Sequence, residues 1–207
     1  MKSFFRIAFS LSLSLLVQSC KSKTPTRTME AEVIWRLQHD KSQPDHVREG
    51  AGIMLDVLNE NRHISFRDYF DAERKVSSER SPATVRAWIA LLHSTENRLS
   101  DPLPSAEQID REKRDSIERK SKFIHYTNVS RLSLFGSCIA ALTSFDMPEA
   151  DLEVEGAIRR FESKYGNTSG GEKMLEKYRT EISQQKEMIR LRTTPWQLGP
   201  SSSHGGE

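Results

Sequence analysis

Residues 146–193 read DMPEADLEVEGAIRRFESKYGNTSGGEKMLEKYRTEISQQKEMIRLRT. Two helices and a short turn are written into this stretch. Asp146 reads as an N-cap acid, Pro148 sits in a first turn, and Glu149 falls at the third helical position. Val154, Ile158, Phe161 and Tyr165 then recur at i, i+4, i+7 and i+11, which lines one face of a helix. Gly166 is placed to stop it. Ser169-Gly170-Gly171-Glu172 reads as a second capping box, with Ser169 as the cap. Leu175, Tyr178, Ile182 and Ile189 follow on one face until Pro195 ends the run. A loop of a few residues makes the two helices antiparallel neighbours, so residues 147–193 are expected to form a helical hairpin.

The same grammar continues upstream. Ser65 with Asp68 looks like a cap, with Ile64 and Tyr69 at the positions of a hydrophobic staple. Ser81-Pro82 opens a helix carrying Val85, Trp88, Leu92 and Leu99 on one side, and Asp101-Pro102-Leu103-Pro104 breaks it. Ser105 with Gln108 starts the next. Val47, Ala51, Met54, Leu55 and Leu58 make a stripe after Pro44, and Ile34 and Leu37 point inward from a first helix over 29–39. Residues 105–145 leave one long helix or two, with a break near Tyr126-Thr127-Asn128. Leu132 to Phe145 carries no charge. That run is too short to span a bilayer and fits the most buried helix of the fold. No useful strand alternation and no repeat occur, so the expected fold is all-α: an irregular bundle of about six to eight helices with a C-terminal helical hairpin.

The ends differ in character from this body. Lys2 and Arg6 precede an uncharged apolar and Ser stretch over 7–17, and Gln18-Ser19 leads into Cys20. This is the order of a secretory signal. Ending on Val17-Gln18-Ser19-Cys20, it resembles the lipobox of bacterial lipoproteins. The resemblance implies cleavage before Cys20 and acylation of Cys20. With Lys21 rather than Asp next, it also implies an outer-membrane address facing the periplasm. The expected organisation is a signal peptide over 1–19, a tether over 20–27, a helical domain over 28–197 and a disordered tail over 198–207. Without residues 1–19, basic and acidic residues number 29 each. A balanced chain gives no general case for nucleic acid. Cys138 is the only other cysteine and lies in an apolar run, so a buried, inert thiol is expected.

Candidate sites are few. Glu60 and His63 form an E-x-x-H pair, the unit that di-iron bundles use twice, but no second copy exists, so both are expected at a solvated helix end. His93 and Glu96 share a helix face without a recognisable third ligand. No H-E-x-x-H, C-x-x-C or C-x-x-C-H occurs, so no metal or cofactor is expected. Ser183 and Lys186 form an S-x-x-K without its companion elements, and Gly166-Asn167-Thr168-Ser169-Gly170 lacks the preceding strand of a nucleophile elbow. The basic stretch 111–122 has interleaved acids and reads as a solvated face. Glu162-Ser163 before a Gly-rich loop is similar to the Glu-Ser motif of lysozyme-like lytic transglycosylases. That resemblance implies Glu162 as a general acid cleaving peptidoglycan. The Gly-Leu-Met-Gln and Tyr-Asn elements of that family are missing. The leading expectation is therefore a non-catalytic envelope lipoprotein that binds or scaffolds another envelope protein, with an inhibitor or immunity role as a variant. The competing expectation is the lytic enzyme using Glu162.

Overall fold

The structure, a computed structural model, describes residues 28–61, 63–118 and 123–193. Eight helices follow one another: α1 Met29–His39, α2 Asp45–Leu58, α3 Phe66–Ser77, α4 Pro82–Glu96, α5 Ala106–Glu118, α6 Asn128–Phe145, α7 Pro148–Tyr165 and α8 Ser169–Thr193. Among the described residues there is no strand, only a single bridge between Ser65 and Phe123. The all-α bundle with its C-terminal hairpin is what the periodicity predicts. None of the described helices is long and apolar enough to cross a membrane.

Most helix starts are where the sequence puts them. Ser65 and Asp68 make a reciprocal capping box on α3, and Ser81 makes one with Thr84 on α4 behind Pro82. Ser105 and Gln108 exchange the same pair of bonds at the start of α5. Each satisfies backbone N–H groups that an isolated helix end leaves open. Thr127 caps α6 and bonds reciprocally with Ser130. The segment 105–145 is therefore two helices, with the break at the alternative position.

Two caps differ from the expectation. Asp146 does not start α7. It ends α6 in the left-handed conformation, φ 54° and ψ 47°, which Asp tolerates better than most residues. Met147 is the N-cap of α7 and contributes no side-chain bond, so the helix starts on the preset φ of Pro148. At α8 the cap is Thr168 rather than Ser169: the Thr168 hydroxyl accepts from the Gly171 N–H at 3.0 Å. The two glycines behind it are there for space. A Cβ on Gly170 would lie 1.9 Å from the Pro104 carbonyl oxygen, and one on Gly171 would lie 1.8 Å from that of Tyr165.

α6 is the axis. It touches α3, α4, α5, α7 and α8, and 11 of its 18 residues are buried, more than in any other helix. The uncharged run from Leu132 to Phe145 is the reason: past Arg131 no face needs water. On one side Phe135 joins Phe161 and Tyr165 of α7 and Tyr178 of α8, with ring centroids 5.1–5.5 Å apart. The Tyr178 hydroxyl donates to the Leu132 carbonyl at 2.7 Å, which satisfies a fully buried phenol. On the other side α1, α2 and α4 close around Trp88 and Met54, both fully buried. Ile34, Leu37, Val47, Ala51 and Leu58 are all inward as expected, whereas Leu55 is only half-buried and Val57 takes its place. Along α8, no residue from Arg179 to Arg192 is buried. Ile182 and Ile189 are half-covered, and Met188 and Leu191 face outward. The expected stop at Pro195 lies outside the described residues.

Candidate functional site

A concave pocket of about 490 Å³ opens between α3, α5, the segment 123–127 and α6. Its position follows from the local sequence. Phe66, Tyr69 and Phe70 fall at i, i+3 and i+4 on α3, so one helical face presents three rings. Ser130, Ser133 and Ser137 fall at i, i+3 and i+7 on α6 and form a low wall opposite. The segment between α5 and α6 is tied to α3 by the Ile124 N–H donating to the Ile64 carbonyl at 2.9 Å. Ile124, Val129 and Leu134 complete the apolar lining, and Glu112, Lys113 and Asp115 of α5 reach the mouth.

The wall is less polar than three serines suggest. The Ser133 hydroxyl turns back to the Val129 carbonyl at 3.0 Å. Ser130 is committed to Thr127 and to the His125 carbonyl. Such back-bonding spends the hydroxyl within its own segment and leaves a small, largely apolar surface. Tyr69 is fully buried; Ser137 lies within reach of its hydroxyl, yet no bond of good geometry joins them. Burial, with Cys138 and Glu73 nearby, pushes the Tyr69 phenol far up, so it stays neutral.

Phe70 is the lip. It is 58% exposed, and Phe123, next in the chain to the lining residue Ile124, is 47% exposed. Phe70 also borders a second, shallower hollow of about 270 Å³ lined by Glu73, Ala140 and Ser144. Burial raises the Glu73 carboxyl to about 7. Among the described residues no cation pairs with it.

The sites expected from sequence have other occupations. Glu162 stands half in solvent at a shallow groove between α7 and α8, and its carboxylate accepts from Arg179 at 2.8 Å. Glu60 is not at a simple solvated helix end. It follows α2 with φ 55°, is half-buried, and accepts from Arg131 at 2.8 Å with Arg98 at 3.7 Å. His63 is exposed on the same turn. His93 and Glu96 do share a face, and α7 supplies their partners. His93 meets Glu153 at 2.8 Å, Arg160 grips Glu96 at 2.9 and 3.0 Å, and Arg160 also reaches Glu153 at 2.8 Å. These four side chains clasp α4 to α7. Lys186 pairs with Asp151 at 3.5 Å, and Ser183 is exposed. Residues 166–168 form the expected loop between α7 and α8. Among the described residues no three of His, Cys, Asp and Glu gather as a metal cluster.

Cys138 is buried, and burial raises its thiol well above the ordinary range, as the sequence predicts for an inert cysteine. In the basic stretch Arg111 and Arg114 are exposed, but Lys113 is half-buried at the pocket, a departure from a wholly solvated face. Cys20, the tether and the tail lie outside the described residues. No known family model, curated protein or solved structure matches this chain.

Proposed function

We propose that this is a non-catalytic envelope lipoprotein, anchored through acyl chains on Cys20 and facing the periplasm of the outer membrane, where it binds another envelope protein. The anchor rests on the signal-like order of residues 1–20 and its lipobox. The binding role rests on one observation above the others. Phe70 stands exposed at the lip of the apolar pocket, and Phe123, next in the chain to the lining residue Ile124, is exposed as well. Isolated apolar residues on a surface need no explanation, but a clustered apolar rim over a concavity marks a place where something docks. Aromatic rims are favoured anchors because they bury large area at little conformational cost.

The enzyme reading has less behind it. A lysozyme-type general acid must keep its proton, and an apolar pocket is what keeps it there. Glu162 instead stands half-exposed against a guanidinium.

The binding reading is tested by substituting Phe70→Glu in the full, membrane-attached chain and quantifying co-purified envelope proteins. A protein recovered in stoichiometric amount with wild type is expected to be lost with Phe70→Glu and retained with Leu152→Glu, a control at an equally exposed apolar site on α7. Equal recovery with both variants would remove the rim from the account.

A further inference from the structure

The pocket beneath the aromatic rim has a charge asymmetry that specifies a ligand. Lys113 of α5 lies at its mouth, half-buried. The charged groups acting on it are Lys173, Lys177, Asp110 and Glu181. Asp110 is already held by Lys173 at 2.5 Å, and Glu181 by Lys177 at 3.4 Å. Three ammonium groups thus share two carboxylates, and among the described residues Lys113 is the one left over. Burial, followed by repulsion from Lys177 and Lys173, lowers its pKa. Its positive charge is under-compensated, and an arriving anion relieves that condition.

Two acids also reach the mouth. Glu112 and Asp115 border both this pocket and a neighbouring shallow groove beside Pro102 and Asn128, so they form the ridge between the two. Asp115 is already engaged. Lys113 borders the pocket alone and has the α8 lysines for neighbours. The cationic edge and the acidic edge of the mouth are therefore different edges. Below them the lining is rings, branched aliphatic chains and serines, two of which, Ser130 and Ser133, spend their hydroxyls on neighbouring chain atoms. The volume of about 490 Å³ falls in the range of small-molecule sites, roughly 300–1,000 Å³.

We infer that the pocket binds a single-chain carboxylate amphiphile, a fatty acid, with its alkyl chain over Phe66, Phe70, Val129 and Leu134 and its carboxylate against Lys113. The inference rests on the pocket being a binding site and needs no protein partner, so the two fail separately. Apolar burial supplies the affinity, at about 25 cal/mol per Å² of surface covered. Lys113 supplies the choice of head group.

The test uses the full chain in its membrane and a photoactivatable, alkyne-tagged palmitate probe, with adducts mapped by mass spectrometry. Adducts are expected on α3 around Phe66–Phe70 and on α6 around Val129–Ser137. Excess palmitate should suppress them, and excess hexadecylamine should do so about tenfold less effectively. Lys113→Glu should reverse that preference. Ser133→Trp, a bulky residue placed from an exposed position into the mouth, should abolish labelling while the helical circular dichroism stays intact. Labelling unchanged in Ser133→Trp, equal suppression by the amine, labelling spread equally over exposed Leu152 and Met188, or no pocket adduct at all would each overturn the assignment. Equal protein recovery with Phe70→Glu and Leu152→Glu, which would defeat the partner reading, would leave these labelling results standing.

Discussion

Glu73 shows what a single residue records and a sequence pattern does not. On α3 it looks like one more charge on a solvated helix, yet the turn that aims Tyr69 at α6 carries Glu73 partly under cover. Its carboxyl moves from 4.5 to about 7 by burial. The folded form binds the proton more tightly than the unfolded chain, so stability from this group is present below pH 4.5 and is lost as the pH rises toward 7. Glu73→Gln is expected to flatten the pH dependence of the melting temperature over that window. At pH 8 it should stabilise the fold by about 1–2 kcal/mol, a figure reduced for the group's partial exposure. An unchanged profile would mean that Glu73 is solvated. Phe161 sits at the opposite extreme, fully buried among Phe135, Tyr165 and Tyr178. Phe161→Ala should cost about 3–5 kcal/mol in denaturant unfolding. Its inward position was legible because period and ring size agree. The partners of Glu60, Glu96 and Glu162 were not legible: each is paired with an arginine from 17 to 71 positions away, a separation to which local spacing is blind.

At the level of elements, capping chemistry was the most readable part of the chain. Ser65, Ser81 and Ser105 each begin a helix because a hydroxyl followed three residues on by a reciprocal partner closes two open backbone groups at once. The same rule misplaced Asp146 and Ser169 by its own logic, since Asp146 suits a left-handed helix end as well as a cap, and Thr168 stands one residue ahead of Ser169 with the same hydroxyl. The Gly170-Gly171 pair separates the alternatives. It does not terminate a helix; it lets the start of α8 press against Pro104 and Tyr165. Gly171→Ala is expected to destabilise the hairpin by about 3 kcal/mol, at or above the upper end of ordinary overpacking, because its neighbour is backbone that cannot turn aside. Thermal unfolding followed by far-ultraviolet circular dichroism measures it, and a melting temperature equal to wild type would place the α7–α8 turn elsewhere. The pocket escaped the sequence for a related reason. Phe66, Tyr69 and Phe70 lie on one short helix and Ser130, Ser133 and Ser137 on another, 60 or more positions later. Tertiary ties such as the Ile124–Ile64 hydrogen bond and the packing of α3 on α6 bring them face to face.

At the scale of the whole molecule, the proposed anchor at Cys20 leads into a helical body whose described residues include an apolar concavity with Phe70 at its lip. Cys20→Ser should move the protein out of the acylated membrane fraction, detected as loss of the acyl mass on the mature N-terminal peptide; an unaltered mass and fractionation would refute the anchor. Purified sacculi should release no muropeptides in the presence of the wild-type protein, and release that vanishes in Glu162→Gln would transfer the account to the enzyme reading. The most direct measurement of the central claim, binding at the rim of the pocket, is site-specific photocrosslinking in living cells. A crosslinking residue replaces in turn Phe70, Phe123 and Leu152, all three exposed and apolar. The account predicts one discrete protein adduct, the same from Phe70 and Phe123 and absent from Leu152. No adduct from Phe70 or Phe123, or the same adducts from all three, would contradict it.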